Sequence, residues 1–243
     1  MMLTVIFDNY PYDSRLQTSW GFAAWLEFGE RTILFDTGNH GPILLQNMAV
    51  LALDPQTVDF VVLSHNHGDH TGGLAAVLAA NPQITVYTPQ AFSARLKEQV
   101  RAAGATLVEV SHPVQILPGL YSTGQMGTGP VEQALVAKTE KGLIVVCGCA
   151  HPGVDEMVAR AKKVGQGDIA LVVGGFHVGG IGPWRIRKIL FQFRNLGVRQ
   201  VAPCHCTGHR AREMFSRAYG EDFYASGVGW KWTDLAGSTR FSA

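Results

Sequence analysis

Short apolar runs alternate with polar, glycine-bearing turns along the whole chain, and helical periodicity enters between them. Residues 20–28 and 32–35 read as strands joined through Gly29-Glu30-Arg31, a short hairpin signal, and Asp36-Thr37-Gly38 closes the second strand. Residues 58–63 form a nearly continuous apolar run of the kind buried on both faces of a sheet. An apolar helix is predicted over 74–80, a strand over 84–87, an amphipathic helix from about 89 to 103 and a strand over 106–110. The second half repeats this order. Segments 134–138 and 143–146 pair across Glu140-Lys141-Gly142, a helix runs from about 152 to 164, and strands at 169–173 and 198–202 flank a helix over 183–196. A last helix starts near Thr207. Pro152 and Pro183 suit the first turn of two of these helices. Two hairpin-plus-β/α halves predict an α/β protein, a four-layer αββα sandwich of two mixed β-sheets forming a single domain over 1–243.

Composition narrows the function more than the fold. A chain of 243 residues with 47% hydrophobic content can bury a large core. Its formal charge of +1 offers no general attraction to nucleic acid or to an acidic membrane, and no apolar stretch is long enough to span a bilayer. The first residues lack a basic segment and carry an early acid, Asp8, so they do not read as a secretory signal. Cys147, Cys149, Cys204 and Cys206 form two Cys-x-Cys pairs, which match neither a disulfide framework nor the usual Cys-x-x-Cys spacing of a metal site. A cytoplasmic enzyme is expected, with Cys147, Cys204 and Cys206 as small buried hydrophobes and Cys149 left open.

The chemistry concentrates in Ser64-His65-Asn66-His67-Gly68-Asp69-His70, directly after the apolar run at 58–63. A lone histidine there would be read as a packed core residue; three with a carboxylate are not. His65 and His67 alternate and project the same way from extended chain, and Asp69 and His70 turn toward a second position as the loop enters a helix. Imidazole and carboxylate aimed from a rigid strand end are what a catalytic zinc or iron centre needs. His151, His177 and His205 also follow apolar strands, so six of the nine histidines stand at predicted strand ends. Convergence of these side chains on the 65–70 loop is the expectation. His112 reads as a surface turn, and His209 is a weaker candidate for touching substrate.

These residues resemble the metallo-β-lactamase superfamily: His65-x-His67-x-Asp69-His70 after an apolar strand, with Asp36-Thr37-Gly38 upstream. Gly148-Cys149-Ala150-His151-Pro152-Gly153, Gly174-Gly175-Phe176-His177 and Pro203-Cys204-His205-Cys206-Thr207-Gly208 look like its dihydropterin-synthase-like, methanopterin-pathway branch. The resemblance implies that His65 and His67 bind one metal ion and Asp69 with His70 a second, which His205 completes. It implies that Asp36 orients the histidine loop, as carboxylates do around metal-bound imidazoles. Two features of the superfamily are missing. No Gly-His-Thr segment stands near Ser122-Thr123-Gly124-Gln125, and Gly148-Cys149-Ala150-His151 replaces the usual bridging aspartate. His151 is the first choice to supply a lost ligand, Cys149 the second, and Glu132 a further one.

The expected cofactor is one or two divalent ions, zinc first, with iron or manganese as alternatives. A bound ion lowers the pKa of water to about 7 and polarises a carbonyl or phosphoryl oxygen. Asp69 would orient that water and accept its proton, and His177 would hydrogen-bond the developing oxyanion. Eight basic residues from Arg185 to Arg217 face a single acid, Glu213. They read either as solvated helix faces or as a rim for an anionic small-molecule substrate that includes Arg210. The loop around Gly175 could offer backbone N–H groups to the same anion, or merely turn the chain. Hydrolysis of a small anionic ester, phosphoester or lactone follows. The rivals are an iron-dependent dioxygenase-type redox enzyme, a nuclease and a non-catalytic metal-containing ligand sensor; the missing Gly-His-Thr segment disfavours a glyoxalase-type thioester hydrolase. A membrane partner is not expected and a nucleic acid is disfavoured. Trp184, Phe191 and Phe193 with the nearby arginines could form a homo-oligomer surface.

Overall fold

The computed structural model describes residues 1–234. They form two compact units, residues 1–109 with those from 227 onward, and residues 110–226.

In the first unit β1 (Met2–Phe7), β2 (Ala23–Phe28) and β3 (Arg31–Phe35) run antiparallel, and the hairpin turns at Gly29-Glu30 as predicted. After α1 (Gly41–Val50), β4 (Phe60–Val62) pairs in parallel with β3. The short α2 (Gly68–Thr71) and then α3 (Leu74–Ala80) lead to β5 (Thr85–Pro89), parallel to β4. α4 (Ala94–Ala102) precedes β6 (Thr106–Val110), and the strand Lys231–Thr233 pairs with β1 to complete seven strands. The core joins Phe7, Trp25, Leu34, Val61 and Leu63 of the sheet to Leu44, Met48, Leu74, Val77 and Leu96 of the helices. α4 begins later than the periodicity predicts because Ser93 Oγ accepts the Leu96 N–H at 3.4 Å and caps it. β1 and α1 are additions to the predicted set. α1 is apolar on most sides and shows no stripe to read; the Asn47 amide, donating to Ile6 O at 3.0 Å and Gln17 O at 2.9 Å, ties it to β1.

The second unit repeats the plan. β7 (Val114–Leu117), β8 (Leu120–Ser122), β9 (Leu135–Thr139) and β10 (Gly142–Cys147) form an antiparallel meander. α5 (Val154–Gly165) returns the chain to β11 (Ile169–Gly175), and α6 (Pro183–Leu196) to β12 (Gln200–Cys204); both strands add in parallel. α7 (His209–Tyr219) follows. Pro183 does open α6 and left-handed Gly197 ends it, while Ile186, Ile189 and Phe193 make its buried stripe. Pro152, by contrast, lies before α5, whose N-cap is Gly153. Phe176 packs edge-on against Phe193 and Phe215, whose own rings are tilted, with ring centroids 5.3–5.9 Å apart in this core. Phe193 therefore cannot belong to an oligomer surface, whereas Trp184 is 72% and Phe191 61% exposed. No helix among the described residues is long and apolar enough to cross a membrane.

Candidate metal centre

β4 ends at Val62, and the chain then runs through Leu63 and Ser64 into the histidine loop. That loop is clamped from outside before any ligand is considered. Thr37 donates its N–H (2.7 Å) and its hydroxyl (3.0 Å) to His70 O, and Phe22 N–H reaches Asp69 O at 3.2 Å. Gly73 lets this happen: a Cβ there would stand 2.2 Å from Thr37 O, so only glycine allows the helix behind the loop so close.

Asp36 organises the loop from within. It is fully buried, its Oδ1 accepts the Ser64 N–H at 2.7 Å, and its Oδ2 accepts both the Ser64 hydroxyl and His70 Nδ1–H at 2.7 Å. The Ser64 hydroxyl has one proton and gives it to Asp36, so its 2.9 Å contact with His65 Nδ1 makes Ser64 the acceptor there. Both His65 and His70 thus carry their proton on Nδ1, and each Nε2 holds a lone pair. That is the tautomer of a metal-ligating histidine whose other nitrogen is held by the surrounding protein. Sequence reasoning placed Asp36 here through the resemblance alone; the hydrogen bonds give the physical reason.

The donor set fits a metal ion. His65 Nε2 and His67 Nδ1 stand 3.1 Å apart, close to the about 3.3 Å expected of two nitrogens on one tetrahedral ion. Donor atoms of His65, His67 and Asp69 all lie within 4.8 Å of one another. The lone pair of His70 Nε2 faces Asp69 Oδ2 at 3.6 Å, two acceptors turned toward each other, which a cation reconciles. Four of the residues named from sequence are therefore brought together in the first unit.

The second unit gathers another set at the ends of its parallel strands. Glu132 is fully buried and accepts three backbone N–H groups: Cys149 and Ala150 at 2.9 Å on Oε1, His151 at 2.8 Å on Oε2. It is the support of the 149–151 loop and not a spare metal ligand, a correction to its sequence reading. His151 lies beside His177, ring centroids 4.1 Å apart. His205 is buried directly after β12, and His209 and Arg210 are exposed at the start of α7. Asp36, Ala150, His177 and His205 all adopt left-handed φ, at 58°, 61°, 48° and 48°. Such strain costs about 1–2 kcal/mol per residue and persists where the surroundings over-determine it, as at functional sites.

Two sequence readings change here. The Gly175 N–H donates to Gly148 O at 3.0 Å, so it is committed within the fold and cannot serve an anion; a Cβ at Gly175 would meet Gly148 O at 2.4 Å and Cys206 Sγ at 2.6 Å, so its missing side chain makes room for both. Cys206 is not an inert buried thiol. Hydrogen bonds from Cys149 first, then from His177, hold it well below the usual thiol range against the opposing effect of burial. Cys147 keeps the inert role, its thiol pushed up by burial first and by Glu132 second. Nothing in its spacing separated Cys206 from Cys204.

Comparison with known proteins agrees with these features. The chain is 30% identical over 90% of its length, and 92% of the relative's, to 7,8-dihydropterin-6-methyl-4-(beta-D-ribofuranosyl)-aminobenzene-5'-phosphate synthase of Methanocaldococcus jannaschii. Its structure is similar to that of Tm1679, a metal-dependent hydrolase of the beta-lactamase superfamily, with a TM-score of 0.80 and 27% identity over 96% of this chain and 98% of that one. YhfI of Bacillus subtilis shares the fold at 14% identity and a TM-score of 0.69, over 95% of this chain and 98% of that one. Residues 18–143, which carry the hairpin, the histidine loop and Glu132, match the Metallo-beta-lactamase superfamily, and the chain belongs to it.

Proposed function

We propose that the protein is a metal-dependent hydrolase acting on a small anionic ester, phosphoester or lactone. The observation that carries this reading is the Asp36 relay, which fixes His65 and His70 as Nε2 donors beside His67 and Asp69. His65, His67, Asp69 and His70 would hold one or two divalent ions, which would supply a Lewis acid and lower the pKa of bound water to about 7. Zinc suits the nitrogen-rich set, and iron suits it also. Asp69, the carboxylate at the more accessible edge of the loop, orients the attacking water and takes its proton. In the second unit Arg185 is tied to Asp155 at 2.9 Å, Arg199 to Lys141 O and Arg212 to Ser226 O at 2.8 Å. Arg210, exposed beside His209 at the start of α7 shortly after His205, is the proposed contact for the anionic group of the substrate.

A second reading has a specific support. Likeness to the M. jannaschii synthase over about nine-tenths of both chains favours a bond-forming reaction on a phosphate-bearing substrate. Metal analysis of protein purified without added metal, followed by assay on a panel of esters, phosphodiesters and lactones, separates the two. Turnover that His65→Ala reduces to background, together with loss of metal, supports the hydrolase. Fully metallated protein that turns over nothing in the panel overturns it and leaves the synthase reading.

A further inference from the structure

We propose that Cys149, His177 and Cys206 form a thiolate-rich metal site of their own, taking one zinc-like divalent cation. All three donors stand in the second unit, and the proposal turns on Cys206, a residue for which the hydrolase reading has no use. Both sulfurs and a ring nitrogen of His177 lie within 4.8 Å of one another. Zn–S bonds of about 2.3 Å and a Zn–N bond of about 2.0–2.1 Å place tetrahedral ligands about 3.6–3.8 Å apart, so small side-chain adjustments close the set around an ion.

The backbone has already placed these donors. β10, β11 and β12 are parallel neighbours in register, Cys147 opposite Gly174 and Gly175 opposite Cys204, so the three loops leave the sheet side by side. Glu132 holds the Cys149 amide. Thr207 Oγ1 accepts the Phe176 N–H at 3.1 Å, and Gly179 N–H reaches Cys206 O at 3.2 Å, which ties the His177 loop to the Cys206 loop. Cys206 Sγ is 3.6 Å from Cys149 O, in the space that the missing Cβ of Gly175 leaves open. Two thiolates and one imidazole select zinc or another thiophilic ion over magnesium or calcium. Two thiolates neutralise a divalent charge, and their protons pass to solvent. Three protein donors leave the fourth position to water or to an external ligand.

Cobalt(II) titration of full-length, chelator-stripped protein tests the site. The chain carrying His65→Ala and His67→Ala should still bind one equivalent with a thiolate-to-cobalt charge-transfer band in the near ultraviolet. Adding Cys206→Ser should abolish the band and weaken binding by about 100-fold or more. X-ray absorption of the zinc-loaded wild type covers the case in which that double variant does not fold, and should show a sulfur shell. Binding without the band, a band that survives Cys206→Ser, a nitrogen- and oxygen-only shell, or a Cys149–Cys206 disulfide in reduced preparations each overturns the proposal. A nitrogen-only shell with intact turnover would leave the hydrolase reading standing. Metal retained on sulfur after His65→Ala, without turnover, would do the reverse.

Discussion

Asp36 and Glu132 are both fully buried carboxylates that support a donor-bearing loop beyond a strand end, but they grip different things. Asp36 takes one backbone N–H and two side-chain protons. It therefore decides which nitrogen of each imidazole keeps its proton. Glu132 takes three backbone N–H groups; it fixes where Cys149 and His151 begin and leaves their side chains to sulfur and ring contacts. Asp36 sets donor electronics in advance, whereas Glu132 sets donor position.

Removing Asp36 should have the largest effect. Asp36→Ala strands His70 and Ser64 in a dry site and should cost about 3–5 kcal/mol in urea unfolding, with metal affinity of the loop down about 10–100-fold by competition titration. Asp36→Asn sharpens the point, since its amide nitrogen would face a donor. Wild-type metal affinity in Asp36→Asn would break the distinction between the two carboxylates.

Glu132→Gln should cost less, about 1–3 kcal/mol. Its effect should be local: faster hydrogen exchange of the 149–151 amides, with the imidazole nitrogen resonances of His65 and His70 unmoved. A shift of those resonances would show that Glu132 does more than hold backbone. Gly73→Ala pushes a methyl to 2.2 Å from Thr37 O and should destabilise by about 1 kcal/mol or more, read as a lowered unfolding midpoint. As a reference, the Arg217–Glu213 pair on α7 is exposed on both sides at 3.7 Å, and Arg217→Ala should move stability by no more than about 0.5 kcal/mol. A larger change would mean that surface pairs and loop supports differ less than the geometry implies.

Much of this was legible in the chain because the signals are local. His65, His67, Asp69 and His70 lie within six positions behind an apolar strand, and α6 announces itself with proline, stripe and closing glycine. Glu132 was illegible as a support, since a carboxylate that accepts amides 17–19 residues further on leaves no pattern. Cys206 was misread for a related reason: its neighbours Cys149 and His177 arrive through sheet register, which composition does not encode. α1 was missed because its buried face includes polar Asn47 while apolar Val50 stays exposed, which blurs the stripe.

The left-handed residues at 36, 150, 177 and 205 carry a warning for anyone hardening this protein by selection. Glycine is at ease in that backbone conformation and relieves strain there, so at His177, the exposed one of the four, a screen scored on heat resistance alone will be drawn to glycine. His177→Gly would survive such a screen while deleting an imidazole. Libraries for this scaffold should keep that codon fixed.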